Sequence, residues 1–384
     1  MAGCTALSIT MKSHKDRRSK RVSGQEIPPH RLKDDRLPLL VITNNQEYSP
    51  LSSAAMSAAL RSPSRGGRVR ATCSKTWDGG PHGSHEDCRA AAPGTNERIN
   101  LTGTTTVEAK SGYGLNLEDE VKQLEALRDL DALHPVDIVP TFMGAHDVPP
   151  EYRDRREEYI QLLVDTLIPE VGRRGLAEFF DIFCEPGVFS LEETRRLVGT
   201  AKAAGFKIKV HADEFVTLGG AELAAEVGAT SAEHLIAVSD EGITRLAASD
   251  TAAILLPGVS FFLMMDKRAP ARRLIDAGAA VALATDFNPG SSHLSSMLFV
   301  LQLGVFTLGM TVEEAVNACT GNAAYAVGRH GTVGSLEPGK KMDLLLCDIP
   351  DHVSLAYDAG RNPVWTVIKN GRVVVEDGRR VVAR

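Results

Sequence analysis

The sequence lacks several features that would place it in other classes of protein. It has no apolar run of the ~18 residues that a membrane span requires, and no apolar signal segment follows Met1. Its 6 cysteines are scattered without a CxxC pair, which predicts free thiols and argues against a structural zinc knuckle. No GxGxxG or GxxxxGK(S/T) motif offers a nucleotide-binding loop. We therefore expect a soluble, cytoplasmic protein that does not bind a membrane.

The chain divides into regions of different composition. Its 384 residues, 43% of them hydrophobic, suffice for one large catalytic domain and something smaller. Residues 1–100 carry 16 Lys and Arg against 9 Asp and Glu, a charge of +7, whereas the remainder carries −13. Segments such as RSPSRGGRVR hold too little apolar surface to offset chain entropy. We expect 1–100 to be basic and largely irregular, apart from a short strand in LPLLVITNN at 37–45.

Two other interpretations of the basic region are weaker. Asp16, Asp34 and Asp35 do not fit an organelle transit peptide. Arginines without interleaved aromatic residues are weak evidence for nucleic-acid binding, so we expect no nucleic-acid partner. The abrupt change in composition near residue 100 favours the hypothesis that this region derives from an out-of-frame or misassembled coding segment.

From residue 104 onward, apolar strands alternate with helical patterns. Strands separated by helices predict a parallel sheet, because parallel strands need a crossover connection. The seven predicted strands are 104–110, 136–143, 179–185, 206–212, 229–235, 251–257 and 279–287. Seven is one fewer than a (β/α)8 TIM barrel contains, so we predict such a barrel over 101–330 with its first βα unit missing or degenerate. An open doubly wound sheet is the alternative.

The last part of the chain, 331–384, has a different pattern. It contains short apolar stretches and two hairpin signals, Asn370-Gly371 and Asp377-Gly378. We predict that this tail forms a small β domain.

Polar residues follow the predicted strands at the end where a βα barrel places its catalytic groups. They are Tyr113, His146, Cys184, Glu185, His211, Glu214, His234 and Asp286. Singly, a histidine at a strand end is more often a hydrogen-bonded structural residue, and an Asp before Asn-Pro-Gly is by default a turn former. Together they would converge on one mouth if the barrel closes. Imidazole and carboxylate groups are suitable ligands for Zn²⁺ or Fe²⁺, which lower the pKa of a bound water to about 7.

Several motifs carry a resemblance to a known family. The stretches VEAKSGYGL, PTFMGAHDVPPEY, DIFCEPGVFS, KVHADEF, SAEHL, ATDFNPGSS and GSLEPGKKMDLLL resemble those of the imidazolonepropionase family of metal-dependent amidohydrolases. The resemblance covers about residues 103–375. It implies an amidohydrolase barrel with a small β-sandwich that includes the tail. It also implies hydrolysis of 4-imidazolone-5-propanoate to N-formimidoyl-L-glutamate in histidine degradation, by attack of metal-bound hydroxide.

The resemblance also implies roles for particular residues. His211 and Asp286 would be ligands of one divalent metal ion, Zn or Fe, and Asp286 would take the proton from its water. Glu214 would contact the ring, and His234 would polarise the carbonyl or move protons. The residues implied to recognise the substrate are Tyr113, His146, Glu214, Asn288, Gly290 and Ser291. A homodimer is the oligomer that the family suggests.

The sequence departs from the family pattern in one respect. The family begins its barrel with a strand that ends in His-x-His and completes the metal site, and no His-x-His occurs in this chain. His82 and His85 are poor substitutes: their spacing places them on opposite faces of a strand, and the Gly and Pro residues around them disfavour a helix. A solvated loop is the better interpretation.

Three functions stay open from the sequence. The first is the hydrolase that the resemblance implies. The second is a catalytically impaired amidohydrolase-like protein that acts as a scaffold or binding partner. The third is an amidohydrolase that opens another ring, such as a hydantoin or a nucleobase.

Overall fold

The structure is a computed structural model that describes residues 21–22, 25–26, 39–40, 100–288 and 290–381. Its main element is a parallel sheet of seven strands. They are β4 (Thr106–Lys110), β5 (Asp137–Ala145), β6 (Phe179–Cys184), β7 (Lys207–Ala212), β8 (Ser231–His234), β9 (Ala252–Leu255) and β10 (Val281–Leu283). Each strand pairs in parallel with the next along the chain, in the order β10-β9-β8-β7-β6-β5-β4.

Helices connect the strands. Those within the parallel sheet region are α1 (Leu117–Leu133), α2 (Arg156–Leu162), α3 (Ile168–Arg174), α4 (Leu191–Ala203), α5 (Gly220–Glu226), α6 (Asp240–Ala247), α7 (Pro257–Phe262) and α8 (Ala271–Ala277). A 3₁₀ turn lies at Pro150–Tyr152, and a π-helical turn at Leu163–Leu167 joins α2 to α3. After the sheet come α9 (Met297–Leu308), α10 (Val312–Cys319), α11 (Gly321–Ala326) and α12 (Ser354–Tyr357).

Local sequence explains where the helices begin and end. The Asn116 side chain caps α1 by accepting a hydrogen bond from the Asp119 N–H. Ser190 and Glu193 form a capping box at the start of α4. Beyond the end of α4, Gly205 takes a φ of +91°, which a residue with a Cβ rarely adopts. The predicted helical patterns are thus confirmed at these points.

The parallel sheet curls into a barrel. A flat sheet would hold strands four apart at about 19 Å, since neighbouring strands lie ~4.8 Å apart. Yet the ammonium group of Lys110 on β4 forms an ion pair with Glu233 on β8, four strands away. The strands must therefore curve around a common interior. The strands are buried on both faces, and the rings of Phe142, Phe180 and Phe206 contact one another at tilted angles in the main hydrophobic core.

The tail forms a second, antiparallel sheet. Its strands are β11 (Leu344–Cys347), β12 (Val364–Lys369), β13 (Arg372–Glu376) and β14 (Arg379–Arg380), and they pair in sequence. Between them Asn370, Gly371, Asp377 and Gly378 all have positive φ, as tight hairpin turns require. The predicted small β domain and both hairpins are confirmed.

An N-terminal strand completes the second sheet. Strand β3 (Leu39–Leu40) pairs antiparallel with β11, which confirms the strand expected within 37–45. The short strands β1 (Arg21–Val22) and β2 (Gln25–Glu26) pair with each other. The remaining residues of 1–99, which include His82 and His85, lie outside the described residues.

Other expectations about the fold can now be compared with the structure. All seven strands predicted for the barrel are present, and within the described ranges no eighth strand joins β4 to β10. Cys184, Cys319 and Cys347 are free and buried, whereas the other three cysteines lie outside the described residues. In the part of the chain that the structure describes, no helix combines the length and apolar character of a membrane span.

Candidate active site at the carboxyl end of the barrel

Four predicted site residues lie at the carboxyl ends of three barrel strands. His211 is the next-to-last residue of β7, and Glu214 follows the end of that strand by two residues. His234 ends β8, and Asp286 follows β10. All four are buried, with exposed fractions between 3% and 8%. The barrel interior therefore desolvates this group of side chains.

These side chains form one cluster. The rings of His211 and His234 have centroids 5.1 Å apart, and His234 Nδ1 lies 3.6 Å from Glu214 Oε1. Burial, with the added negative charge of Asp286, raises the pKa of Glu214 to about 8. Burial and the nearby charge of His211 lower the pKa of His234 well below its ordinary value. At neutral pH the cluster thus offers a protonated carboxyl group beside a neutral imidazole.

Tyr113 and His146 form a second group beside the first. Their rings lie 5.5 Å apart, edge to face. His146 Nδ1 lies 2.8 Å from the carbonyl oxygen of Gly112 and donates to it, so Nε2 is left as an acceptor. Burial lowers the pKa of His146, which keeps the ring neutral. The Phe183 ring bridges the groups, with centroids 6.3 Å from His146 and 5.8 Å from His211.

A buried carboxylate shapes the loop that carries Tyr113. Glu120 on α1 accepts hydrogen bonds from the backbone N–H groups of Gly112, Gly114 and Leu115, at 2.9 to 3.2 Å. Gly112 has a φ of +103°, and a Cβ there would lie 2.8 Å from the carbonyl oxygen of Met143. Burial raises the pKa of Glu120 despite these bonds. The carboxylate of Glu120 therefore fixes the backbone of the loop that carries Tyr113.

Glu185 holds the loop that carries Glu214 in the same way. Its carboxylate accepts hydrogen bonds from the backbone N–H groups of Glu214, Phe215 and Val216, at 3.2, 3.2 and 2.9 Å. Burial raises the pKa of Glu185, although those three donors work to lower it. Glu185, noted only as a polar strand-end residue, thus positions a predicted site residue.

Backbone strain is concentrated at the same edge. His234 and Asp286 have φ values of +71° and +47°, a region that side-chain-bearing residues rarely occupy. Asp213, at +50°, accepts hydrogen bonds from the N–H groups of residues 218–221 at the start of α5. Such conformations persist where surrounding contacts enforce them, and they cluster at functional sites.

The loop after Asp286 closes on itself. The Asn288 side chain donates to the Asp286 carbonyl at 2.8 Å and accepts from the N–H groups of Gly290 and Ser291 at 2.8 and 2.7 Å. Its own N–H donates to the Ser292 carbonyl at 2.8 Å. The backbone N–H groups of Gly290 and Ser291 are thus engaged by Asn288. The three residues predicted here lie together, and their role as substrate contacts stays a prediction.

A network of buried charges fills the barrel interior next to His211. Lys110 forms ion pairs with Asp181 and Glu233. Lys209 lies 2.9 Å from Glu108 and 3.4 Å from Glu233. Two ammonium groups thus face three carboxylates, and all five side chains are at least 94% buried.

The network continues to His211. Asp181 Oδ1 lies 3.1 Å from His211 Nδ1, and Glu233 Oε2 lies 3.4 Å from the same atom. Burial works against the charged ring, but the negative charges of Asp181 and Glu233, together with the hydrogen bond to Asp181, outweigh it and raise the pKa of His211. These three side chains are close enough together to hold a metal ion. Because the ammonium group of Lys110 already lies between the two carboxylates, we interpret the group as an ion-pair network.

The donor groups on the side of the His211 ring that faces away from Asp181 are of the type that binds a metal ion. With Nδ1 directed at Asp181, Nε2 is the nitrogen of His211 that would bind a metal. The carboxylate of Asp286 lies near enough to Glu214 to affect its pKa. One imidazole nitrogen and one carboxylate oxygen suit Zn²⁺ or Fe²⁺, and the formal surplus of one negative charge in the network favours a cation.

Sequence reasoning missed the residues that hold the site from within. Lys110, Asp181 and Glu233 lie on buried strands, and Glu120 lies on a helix. The signal for Asp181 was a charged side chain in an otherwise apolar strand, FFDIFC. For Glu120 the partners are backbone groups, so no sequence signal exists.

Comparisons with known proteins identify the family. The amidohydrolase family model matches residues 55–375, which starts upstream of the motifs at 103. Imidazolonepropionase from Geobacillus kaustophilus (strain HTA426) is 48% identical over 364 residues, 95% of this chain and 83% of that protein. Imidazolonepropionase from Symbiobacterium thermophilum is 52% identical over 284 residues, 74% of this chain and 67% of that protein. Sequence related to the family thus extends into 1–100, which argues against an out-of-frame origin for the whole of that region.

Solved structures show the same fold at low identity. A 5-methylcytosine deaminase from Klebsiella pneumoniae, liganded with 5-fluorocytosine, gives a TM-score of 0.70 at 17% identity over 94% of this chain and 92% of that chain. An adenosine deaminase from Xanthomonas campestris with bound zinc gives 0.64 at 17% identity over 90% and 82%. These likenesses confirm the barrel fold. The chain belongs to the amidohydrolase family and, within it, to the imidazolonepropionase family.

Proposed function

We propose that this chain hydrolyses the cyclic amide of 4-imidazolone-5-propanoate to N-formimidoyl-L-glutamate, a step of histidine degradation. The observation that carries the proposal is the convergence of Tyr113, His146, His211, Glu214 and His234 through successive contacts at one barrel mouth. Relatives named imidazolonepropionase at 48% to 52% identity support this substrate over a hydantoin or a nucleobase.

The two groups of side chains suit the two parts of such a substrate. The Tyr113 ring and the His146 Nε2 acceptor form one wall, where a ring N–H can donate and a planar ring can stack. The protonated Glu214 can donate a hydrogen bond to the imidazolone ring. The turn of Asn288, Gly290 and Ser291 lies next to Asp286, where the propionate would bind.

The reaction needs a proton acceptor and a group that stabilises developing charge. Asp286 would take the proton from the attacking water. His234 is neutral, and its Nδ1 is buried without a hydrogen-bond partner among the described protein atoms, so it is available to polarise the carbonyl or pass a proton.

His211 and Asp286 would hold one divalent ion, Zn or Fe. Such an ion lowers the pKa of bound water to about 7 and so supplies a nucleophile at neutral pH. A homodimer stays a prediction.

The test combines metal analysis and turnover on the purified full-length chain. We expect about one Zn or Fe per chain and conversion of imidazolone propionate to formimidoyl-glutamate, followed by mass spectrometry. If the protein contains no metal and shows no turnover, the result would support the catalytically impaired scaffold. Turnover of only a hydantoin or a nucleobase would support an amidohydrolase that opens another ring.

Two histidine variants sharpen the test. His211→Ala should abolish turnover and metal binding, and an unaffected rate would refute the ligand role. His352 is the matched control, since it pairs with Glu313 at the surface. His352→Ala should leave both metal content and rate unchanged.

A further inference from the structure

The ion pairs beside His211 have a specific geometry. Lys110 contacts Oδ2 of Asp181, and His211 Nδ1 contacts the other oxygen, Oδ1, at 3.1 Å. Lys110 also contacts Oε2 of Glu233. Lys110 is 6% exposed, and both carboxylates are fully buried. Each oxygen of Asp181 therefore has a different partner.

This arrangement determines where the proton of the His211 ring lies. An ionised carboxylate is an acceptor only, so a neutral ring facing Asp181 carries its proton on Nδ1. The lone pair is then on Nε2. Metal ions bind the nitrogen that bears no proton, and the hydrogen bond made by the other nitrogen decides which one that is.

We propose that Asp181 is a positioning residue that fixes the Nδ1–H tautomer of His211, and that Lys110 fixes which face of Asp181 the ring meets. The inference rests on the proposed function, in which His211 Nε2 is a metal ligand. It adds two residues on β4 and β6 that the resemblance does not assign. Their proposed action is on the His211 ring.

The substitution Asp181→Asn separates this role from simple packing. Asn has one oxygen and one NH₂ in place of two equivalent oxygens. Lys110 only donates hydrogen bonds, so the amide oxygen turns to Lys110 and the NH₂ turns to His211 Nδ1. The ring must then accept at Nδ1, which places its proton on Nε2 and blocks the ligand position. The same wrong-tautomer logic applies to a catalytic His-Asp pair whose Asp becomes Asn.

A matched control is provided by Glu233. Glu233→Gln makes the same change of charge beside the same lysine. However, its oxygen is 3.4 Å from His211 Nδ1, and the hydrogen bond from His211 to Asp181 is kept. We expect this variant to retain the wild-type tautomer.

Removing the lysine should reverse the defect. In Lys110→Met combined with Asp181→Asn, nothing requires the amide oxygen to face away from the ring. The double variant also restores the formal surplus of one negative charge in the network, because it removes one charge of each sign. The amide can turn its oxygen to His211 and recover the Nδ1–H tautomer.

The experiment uses ¹⁵N-histidine-labelled full-length protein without metal. Long-range ¹H–¹⁵N spectra at alkaline pH report the tautomer of His211, whose signals are assigned by their loss in His211→Gln. Zn²⁺ affinity is measured in parallel by competition with a chelator. We expect Nδ1–H in the wild type and Glu233→Gln, Nε2–H in Asp181→Asn with Zn²⁺ affinity about 10- to 100-fold lower, and recovery in the double variant.

Different failures have different meanings. An Nε2–H tautomer in the wild type overturns the inference even if every variant fails to fold. A wild-type tautomer and affinity in a folded Asp181→Asn also overturns it. If the tautomers follow the expectation but the wild type binds no Zn²⁺, the positioning role stands and the proposed zinc function fails.

Discussion

The barrel and the tail sheet each bury a lysine between two carboxylates, but they use it differently. Lys110 contacts Asp181 and Glu233 within the barrel, next to His211. Lys369 on β12 contacts Asp343 at 2.6 Å and Asp137 at 2.8 Å. Because Asp137 begins β5, this second lysine ties the tail sheet to the barrel.

The balance of charge distinguishes the two clusters. In the tail, Lys369 and Lys341 face Asp137 and Asp343, so formal charges cancel. In the barrel, two lysines face three carboxylates. A buried ion pair contributes little net stability compared with apolar packing, but an unbalanced one costs stability unless a further cation is near. The difference indicates that the tail cluster serves to hold two sheets together, whereas the barrel cluster serves the site.

The largest effect is expected from Lys110→Met. It leaves two fully buried carboxylates without their shared cation, which should cost about 3–5 kcal/mol of unfolding free energy. The urea midpoint should fall. The double variant with Asp181→Asn should be more stable than Lys110→Met alone. An unchanged urea midpoint would show that Lys110 does not stabilise the buried carboxylates of Asp181 and Glu233.

Lys369→Met should give a smaller loss confined to stability. We expect about 3 kcal/mol, because Asp343 becomes unpaired while Asp137 keeps Lys341. Metal content and turnover should match the wild type. Lys341→Met is the control: its side chain is 44% exposed, so its loss should cost under about 1 kcal/mol. Lost Zn²⁺ binding in Lys369→Met would contradict the division of roles.

The smallest effect concerns acid sensitivity of the tail. Burial works to raise the pKa of Asp137, but hydrogen bonds and charge from Lys369 and then Lys341 lower it below the ordinary 3.8. A lowered folded-state pKa contributes stability that is present above 3.8 and is lost as pH falls through the folded value. Urea midpoints measured from neutral to acid pH should fall less steeply for Asp137→Asn than for the wild type. If the urea midpoints of the wild type and Asp137→Asn fall in parallel with pH, the pairing of Asp137 with its lysines does not cause the acid sensitivity.

Most of the barrel was predictable because its signals are local. Alternation of apolar strands and helices identified all seven strands, and turn residues identified the two tail hairpins. The site residues were predictable because parallel strands end at one edge. Strand β3 was a weaker inference, since the antiparallel partner that stabilises it lies about 300 residues away along the chain.

Asp181, Glu120 and Glu185 could not be assigned from sequence for a physical reason. Asp181 has a role only because β6 and β7 place it against His211. Glu120 and Glu185 act on backbone N–H groups, which every sequence contains. A family resemblance can imply which residues bind the metal and the substrate. It does not imply which carboxylate accepts the backbone hydrogen bonds of a given loop.

The sequence by itself determined the strand and helix order, the family, and the identity of the residues at the barrel mouth. These follow from short-range periodicity, turn chemistry and motif matches. Tertiary structure alone decided which charges share the interior, because curling the sheet brings Lys110 of β4 to Glu233 of β8. That closure places two lysines and three carboxylates in low dielectric next to His211.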